Sequence, residues 1–187
     1  MNDKKDILVI GVLKTFAQYG YRKTSMANLA DVFGISRQAL YKRFSNKELI
    51  FEWLVSEINA TAISGMTNAL SDSSLSIVER LVLGFDSWTG RYVDILRSSP
   101  HAGDIMDSGI TIAKKNLENG KTVADRIRVL IARELVIEGI AEDLAEGERI
   151  AFVMYMGSKG LTLSVPNRNA YLEKISLIVQ TVIQKRY

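Results

Sequence analysis

Residues 24–49 constrain the fold of this chain more than any other segment. Thr24 or Ser25 can cap the start of a helix, and the apolar positions that follow recur at helical spacing. Gly34 can adopt the left-handed backbone conformation that ends a helix. The segment therefore predicts two short helices joined by a glycine turn, with the second helix beginning at about Arg37.

The second of these helices carries polar side chains that suit contact with a nucleic acid. Its apolar residues Leu40 and Phe44 lie four positions apart and face inward, which leaves the polar side chains on other faces. Arginine can form two hydrogen bonds with guanine and glutamine with adenine, whereas tyrosine and lysine suit phosphate oxygens. A solvated amphipathic helix would show the same pattern, so the surrounding elements must decide between these interpretations.

The order of the elements favours the nucleic-acid interpretation. A first helix is followed by a capped helix, a glycine turn, a polar helix and a further helix that opens at 45–48, and this order resembles the TetR family of transcriptional regulators. The resemblance covers about the first fifty residues, and its most specific part is the closing sequence Leu-Tyr-x-x-Phe-x-x-Lys-Glu-x-Leu. The matching residues are Ile7 through Phe16, Gly20, Thr24, Ala30, Gly34, Ile35, Ser36, Leu40, Tyr41, Phe44, Lys47, Glu48 and Leu49.

The chain departs from the usual family pattern at three positions. Gly11 and Phe33 stand where the family mostly has a small alanine, and Gln38 stands where glycine or proline is frequent. A glycine inside a helix costs about 1 kcal/mol relative to alanine. We therefore expect Gly11 to permit close packing of Phe33 or another bulky neighbour.

The resemblance and the side-chain chemistry together suggest roles for the DNA-binding residues. Arg37 and Gln38 are the candidates for contact with base edges, Lys42 for a base or a phosphate, and Ala39 for a thymine methyl group. The predicted phosphate contacts are Thr24, Ser36, Tyr41, Arg43 and Lys47.

Positive charge is concentrated in the same region. Residues 1–50 contain nine Lys and Arg against four Asp and Glu, whereas the whole chain has a net charge of only +3. The rest of the chain is therefore slightly acidic, and the isoelectric point near 9.1 reflects the first fifty residues. The motif and the charge that DNA requires thus coincide.

Length and composition indicate the domain organisation. A chain of 187 residues with 47% apolar residues can bury a substantial core. We predict a DNA-binding domain at 1–50 and a helical ligand-binding and dimerisation domain at 51–187. The absence of cysteine excludes disulfides and thiol nucleophiles. The sequence shows no signal peptide and no apolar run of spanning length, so we expect a cytoplasmic protein without a membrane partner.

The pattern beyond residue 49 predicts an all-α fold. No strand alternation appears, and Pro100 and Pro166 lie where helices should be separated. The predicted helices are Lys47–Leu70, a helix that ends at about Leu96, Val123–Ile140, Leu144–Leu163 and Ala170–Lys185. Between the second and third of these we expect shorter helices in the region Asp104–Asn119, separated by Gly103, Gly109 and Gly120.

The last two predicted helices are candidates for a dimer interface. The final helix is apolar on more than one face, which one monomer's core rarely requires, although a buried core helix remains the alternative. The candidate interface residues are Phe152, Met156, Leu163, Tyr171, Ile175, Ile178, Val179 and Val182. The resemblance implies a homodimer that pairs through a four-helix bundle, and a dimer predicts a pseudo-palindromic operator in double-stranded DNA.

An aromatic stripe before Pro100 is a candidate wall for a small-molecule site. Such stripes belong to cores about as often as to pockets, so both interpretations stay open. The candidate pocket residues are Leu81, Phe85, Trp88, Tyr92, Met106, Met154 and Tyr155. They favour an apolar or aromatic effector, and the resemblance implies that the effector shifts the long connecting helix and releases DNA.

Other chemistry receives little support from the sequence. His101, Asp104 and Asp107 have a spacing that metal sites use, but these residue types are also common at a helix start, so we predict no metal and no cofactor. The sequence shows neither a nucleophile paired with a general base nor a phosphate-binding loop, so it does not suggest an enzyme. The sequence thus predicts a ligand-responsive dimeric repressor. The alternatives are a sequence-independent architectural DNA-binding protein and a helical enzyme or ligand carrier.

Overall fold

The structure is a computed structural model that describes residues 3–115, 117 and 120–184. Every regular element in those ranges is helical, which confirms the predicted all-α fold. The helices are α1 (Asp3–Tyr19), α2 (Met26–Phe33), α3 (Arg37–Arg43), α4 (Lys47–Leu70), α5 (Ile77–Trp88), a 3-10 turn (Gly90–Tyr92), α6 (Val93–Arg97), α7 (Ala102–Lys115), α8 (Val123–Ile137), α9 (Leu144–Ser164) and α10 (Arg168–Gln184).

The chain divides into two compact units. Among the described residues, the first unit contains 3–58 and 95–115, and the second contains 59–94, 117 and 120–184. Helix α4 therefore contributes its first half to one unit and its second half to the other. The domain boundary after residue 50 stays a prediction.

Aromatic packing forms the centre of the first unit. The ring of Phe16 in α1 meets the ring of Phe51 in α4 edge to face, with centroids 4.8 Å apart, and Tyr21 packs against both. Leu29 of α2 and Leu40 of α3 are fully buried. Each of the four helices α1 to α4 thus contributes a large apolar side chain to the interior, which is how short helices gain stability in a protein.

Helix α7 also packs within the first unit, against the end of α1. The Ser99 hydroxyl donates a hydrogen bond to the Ala17 carbonyl at 2.6 Å, and it accepts one from the His101 backbone N–H at 3.0 Å. Gly20 has a φ of 78°, and a Cβ built there would meet the His101 ring at 3.0 Å. A glycine at position 20 therefore suits both the backbone conformation and the close approach of this ring.

Helices α5, α8, α9 and α10 and the second half of α4 surround the core of the second unit. Tyr171 of α10 is its largest fully buried side chain, and the Tyr171 hydroxyl lies 2.7 Å from the Ser158 hydroxyl of α9. Burial raises the pKa of Tyr171 to about 12, so its phenol stays neutral. The hydrogen bond satisfies two polar groups that would otherwise be costly to bury.

A buried guanidinium also joins elements of the second unit. Arg80 of α5 donates to Glu134 of α8 and to Glu138, the C-cap of α8, each at 2.5 Å, and to the Leu70 carbonyl at the end of α4. These contacts hold the charge of Arg80 in an interior that would otherwise exclude it. Because all three partners accept from one side chain, Arg80 fixes the position of α5 against two other helices.

One predicted helix is broken in the structure. The sequence predicts a helix that continues to about Leu96, but α5 ends at Trp88 and the 3-10 turn and α6 follow. Thr89 has a non-helical backbone, and a Cβ at Gly90 would meet Asp86 at 2.5 Å and the Tyr171 ring at 2.9 Å. Close packing of Gly90 on α10, which the sequence does not reveal, accompanies the break.

The prediction of shorter helices between Asp104 and Asn119 is wrong, because the single helix α7 runs through both Gly103 and Gly109. The remaining boundaries agree to within a few residues, and Pro100 and Pro166 lie between helices as predicted. The region Asp104–Asn119 and the predicted helix Ala170–Lys185 include Asn116, Glu118, Asn119 and Lys185, which lie outside the described residues. None of the helices in the ranges that the structure describes has the length and apolarity needed to cross a membrane.

Gly11 does permit close packing, but Phe33 is not the neighbour. A Cβ at Gly11 would meet Cγ1 of Val32 at 2.8 Å. Phe33 packs instead against Phe44 and Trp53, with ring centroids 5.7 and 5.6 Å away. The sequence correctly predicts a bulky neighbour for Gly11, but the particular pairing with Phe33 is wrong because the adjacent residue of α2 faces α1.

The close contact between α8 and α9 gives a stability prediction. A Cβ at Gly147 would lie 2.7 Å from the Ala132 carbonyl oxygen and 3.0 Å from its Cα. Because backbone atoms cannot move aside as a flexible side chain can, we expect Gly147→Ala to lower the free energy of unfolding by about 1–3 kcal/mol. Gly103→Ala is the control, since a Cβ there meets no atom within 4 Å. Equal stability of the two variants in chemical denaturation would contradict the packing described here.

Candidate functional site

The caps of α2 and α3 fix the geometry of the helix-turn-helix. Ser25, rather than Thr24, is the N-cap of α2, and it forms a reciprocal capping box with Asn28. Gly34 ends α2 with a φ of 63°, in the left-handed conformation predicted for it. Ser36 then caps α3, where its hydroxyl accepts from the Ala39 backbone N–H at 3.1 Å. Local hydrogen bonds therefore define both ends of the turn.

Helix α3 exposes almost its whole surface. Leu40 is its buried residue and has no solvent exposure, so it anchors α3 to the first unit. The exposed residues of α3 are Arg37, Gln38, Ala39, Tyr41, Lys42 and Arg43. All the residues of α3 that the sequence assigns to DNA contact are thus accessible to a partner.

The guanidinium of Arg37 lies over an aromatic ring of the same helix. Its central carbon is 5.6 Å from the ring centroid of Tyr41, one turn further along α3. An arginine over a ring face is attracted by the negative charge of the π system. This contact orients Arg37 at the N-terminal end of α3, where recognition helices contact base edges.

Arg43 rests on a group of aromatic rings that we call the aromatic seat, formed by Phe33, Phe44 and Trp53. Its guanidinium carbon lies 5.3 Å from the ring centroid of Phe33 and 5.2 Å from that of Phe44. The Trp53 ring of α4 packs behind both, at 5.6 and 6.1 Å. The seat therefore connects the end of α2, the end of α3 and the first turns of α4.

Lys47 lies at the start of α4, but its ammonium group faces the protein backbone. It donates to the carbonyls of Tyr21 at 3.0 Å, Arg22 at 2.6 Å and Thr24 at 3.2 Å. It also lies 5.4 Å from the centroid of the Tyr21 ring. An ammonium group has three N–H donors, so these bonds occupy all of them. The geometry thus gives Lys47 a role in holding the segment between α1 and α2, and it does not support the predicted phosphate contact.

Thr24 is also occupied within the protein. Its side chain is buried, with the residue 2% exposed, and its hydroxyl donates to the Gly20 carbonyl at 2.7 Å. The Thr24 backbone N–H donates to the same carbonyl at 3.0 Å. Neither group is available to a phosphate, so we leave Thr24 out of the proposed DNA contacts.

Three residues near the start of α2 are exposed and were not predicted as contacts. Arg22 and Lys23 precede the helix, and Ser25 is its cap. The backbone N–H groups at a helix start attract anions, and two adjacent cations strengthen that attraction. The Arg-Lys pair beside a capping serine could have indicated this position in the sequence.

The predicted dimer residues divide into three groups by burial. Tyr171, Ile175 and Val179 are fully buried in the core of the second unit, so the folding of one chain accounts for their apolar character. Ile178 and Val182 are partly buried on the edge of that core. Phe152, Met156 and Leu163 of α9 are exposed. Among the predicted dimer residues, the exposed group and its partly buried neighbours are therefore the ones that an interface could use.

Most predicted pocket residues lie in or beside the core of the second unit. Leu81, Phe85 and Met154 are fully buried there. The Trp88 ring is stacked on the Tyr155 ring, with centroids 5.4 Å apart, and on the Phe85 ring at 6.3 Å.

The other two predicted pocket residues are placed differently. Tyr92 lies on the 3-10 turn instead of α5, so it does not continue the aromatic stripe. Met106 belongs to α7 in the first unit.

The residues His101, Asp104 and Asp107 lie just before α7 and in its first turns. Asp104 is in the first turn of α7, where a carboxylate interacts well with the helix dipole. His101 is half-buried against Gly20. Within the residues that the structure describes, no group of three or more histidine, aspartate or glutamate side chains is arranged to hold a metal.

Comparison with known proteins agrees with this architecture. The family model of bacterial regulatory proteins, tetR family, matches residues 13–54. A transcriptional regulator from Rhodococcus sp. Rha1 has 14% sequence identity and a TM-score of 0.67, and the match covers 96% of each chain. PfmR, a TetR family transcriptional regulator from Thermus thermophilus, has 14% identity and a TM-score of 0.61 over 95% of this chain and 97% of its own.

A third structure is similar over nearly the whole chain. The TetR family repressor AlkX from Dietzia sp. strain DQ12-45-1b, implicated in biodegradation of n-alkanes, has 14% identity and a TM-score of 0.53 over 95% of this chain and 97% of its own. These likenesses show that the chain has the fold of such regulators along nearly all of its length.

The geometry of Lys47 gives a prediction that separates the two roles considered for it. Lys47→Met keeps the apolar stem but removes the ammonium group, so we expect a loss of about 1–3 kcal/mol in the free energy of unfolding. The slope of log affinity for duplex DNA against log salt should stay unchanged. Lys42→Met is the matched control, since Lys42 is exposed on α3. It should leave stability unchanged and lower that slope by about 0.9 if it contacts a phosphate.

A Lys47→Met variant that keeps its melting temperature but shows a lower slope of log affinity against log salt would contradict this assignment. That result would mean that the ammonium group of Lys47 contacts a phosphate when DNA is bound.

Proposed function

Because this chain carries the helix-turn-helix DNA-binding domain of the tetR family of bacterial regulatory proteins, we propose that it is a sequence-specific repressor released from its operator by a small molecule. The observation that carries the proposal is the exposed polar surface of α3. A helix with one buried anchor and six exposed residues, two of them at its start able to bond base edges, suits insertion into the major groove.

The base contacts in this proposal come from the start of α3. Arg37 bonds guanine O6 and N7, and Gln38 bonds adenine N6 and N7, because these groups form paired hydrogen bonds in the major groove. Ala39 is small and exposed, so it can approach a thymine methyl group. Lys42 contacts a base or a phosphate from the next turn of the helix.

The phosphate contacts surround these base contacts. Ser36 and Tyr41 supply hydroxyl groups, and Arg43 supplies a guanidinium at the end of α3. Arg22 and Lys23 add positive charge at the start of α2 and replace Thr24 and Lys47 among the proposed contacts. These contacts set the position of α3 on the duplex and provide affinity that depends on salt concentration.

A homodimer is the second part of the proposal. Among the described residues, the exposed large apolar residues of α9 and α10 are Leu144, Phe152, Val153, Met156, Leu163 and Leu177. Apolar residues concentrated on the surface of two neighbouring helices call for a covering partner. The TetR resemblance favours a second copy of the chain, which would pair these helices as a four-helix bundle. A twofold dimer reads two half-sites, so the operator is a pseudo-palindrome.

The effector is the third part. We propose an apolar or aromatic molecule that binds beside the stacked rings of Trp88 and Tyr155, because both rings are only partly buried next to the core. Such a molecule lowers DNA affinity if it binds better to a conformation with weaker DNA binding. We propose repression instead of activation because AlkX, which has a similar fold, is described as a repressor.

Selection of bound duplexes from a random DNA pool tests the DNA-binding function. We expect the protein to select a pseudo-palindromic consensus, and Arg37→Ala to lose about 1–3 kcal/mol of binding free energy and its preference at one position of each half-site. Arg133→Ala is the control, because it removes the same charge from an exposed position of α8 in the second unit. A pool without a consensus would favour the architectural DNA-binding alternative.

Dimerisation has a separate test in sedimentation velocity. We expect Met156→Glu to shift the protein towards monomer, since a charge in the middle of an apolar interface has to be desolvated. Leu83→Glu is the matched control, because Leu83 of α5 is 47% exposed, as is Met156, but lies outside the proposed interface. A Met156→Glu protein that stays as dimeric as the Leu83→Glu protein would contradict the proposed interface.

A further inference from the structure

The aromatic seat has a feature that the proposed contacts do not explain. Arg43 is exposed, and within the described part of the chain it has no hydrogen-bond or ion-pair partner. Its guanidinium nevertheless lies over two rings, 5.3 Å from the Phe33 centroid and 5.2 Å from the Phe44 centroid. We propose that Phe33 is a positioning residue that holds Arg43 in the orientation in which it binds a DNA phosphate. The inference rests on the proposed function, because it requires α3 to face DNA.

The chemistry of the guanidinium makes such a seat useful. The attraction between a cation and a ring uses the face of the ring and needs none of the N–H groups for hydrogen bonding. A guanidinium has five N–H donors in one plane and matches phosphate with two parallel hydrogen bonds. Arg43 can therefore stay on Phe33 and Phe44 while its N–H groups remain available to an anion.

The seat also reduces the conformational entropy that the Arg43 side chain loses when it binds a phosphate. A free arginine side chain samples many rotamers, and an immobilised one loses that freedom when it binds. The rings already restrict Arg43 in the free protein, and Trp53 packs against Phe33 and Phe44, which restricts the rings themselves. Less freedom is then lost when the phosphate binds.

The position of Arg43 in α3 favours phosphate over a base as its ligand. Arg43 is the last residue of α3. Recognition helices reach base edges mainly with residues near their start, whereas residues away from the groove meet the backbone. Arg37, at the other end of α3, rests on Tyr41 instead of the seat, so the two arginines have independent supports.

A double-mutant cycle on duplex DNA tests this inference. The binding of a short duplex of arbitrary sequence is measured at low salt, because a phosphate contact does not depend on sequence. Phe33→Leu removes the ring but keeps an apolar side chain, and we expect it to weaken binding about two- to five-fold. Arg43→Ala should weaken binding about tenfold or more.

The combination of the two changes distinguishes positioning from a general effect on the fold. If Phe33 acts through Arg43, Phe33→Leu weakens binding no further once Arg43 is alanine. On an Arg37→Ala background, which serves as the matched control, Phe33→Leu should keep its full two- to five-fold effect. Phe33→Tyr retains a ring face, so it should bind DNA as the unchanged protein does.

The results distinguish a failure of the positioning role of Phe33 from a failure of the proposed DNA-binding function. Equal effects of Phe33→Leu with and without Arg43 would overturn the positioning role and leave the proposed function intact. An Arg43→Ala protein with unchanged duplex affinity would overturn the phosphate contact of Arg43 and with it the positioning role. Absence of duplex binding by the unchanged protein would overturn the proposed function itself. If Phe33→Leu does not fold, as judged by circular dichroism, Phe33→Met replaces it, because a flexible methionine fills the same space without a ring.

Discussion

The burial of Leu40 is the contact on which the DNA-binding surface depends. Helix α3 has seven residues, and an isolated helix of that length is unstable in water. Its order therefore comes from tertiary packing, and Leu40 is the residue of α3 without solvent exposure. Ser36 at one end and Phe44 just beyond the other support this anchor through a cap and a ring contact. With one residue providing the anchor, the remaining surface of α3 is free to serve recognition.

The sequence predicts local features of this surface well, because their causes are local. The capped helices, the left-handed Gly34 and the outward side chains of α3 all follow from hydrogen bonding and spacing within a few residues. The role of Lys47 cannot be predicted in this way, because the carbonyls that it binds lie 23 to 26 positions earlier in the chain. A lysine at a helix start looks the same whether it faces DNA or its own backbone.

The same limit applies to the second unit. Two apolar faces on the final helix predict either an interface or a deep core, and the spacing cannot distinguish them. The structure assigns Tyr171, Ile175 and Val179 to the core because α5 and α9 pack on that side of α10. The break after Trp88 was equally hidden, since it involves contact of Gly90 with the distant Tyr171. What the sequence misses in both cases is which distant helix approaches which face.

The aromatic seat has a consequence for how this protein can be observed. The chain has two tryptophans, and Trp53 of the seat belongs to the first unit while Trp88 belongs to the second. Their indole rings have different neighbours, since Trp53 packs on two phenylalanines and Trp88 is stacked on a tyrosine. Indole emission responds to its surroundings, so replacing either tryptophan with phenylalanine would leave a single indole, whose emission can be excited apart from that of the seven tyrosines. Each half of the molecule thus contains its own optical probe, and neither half needs a foreign label.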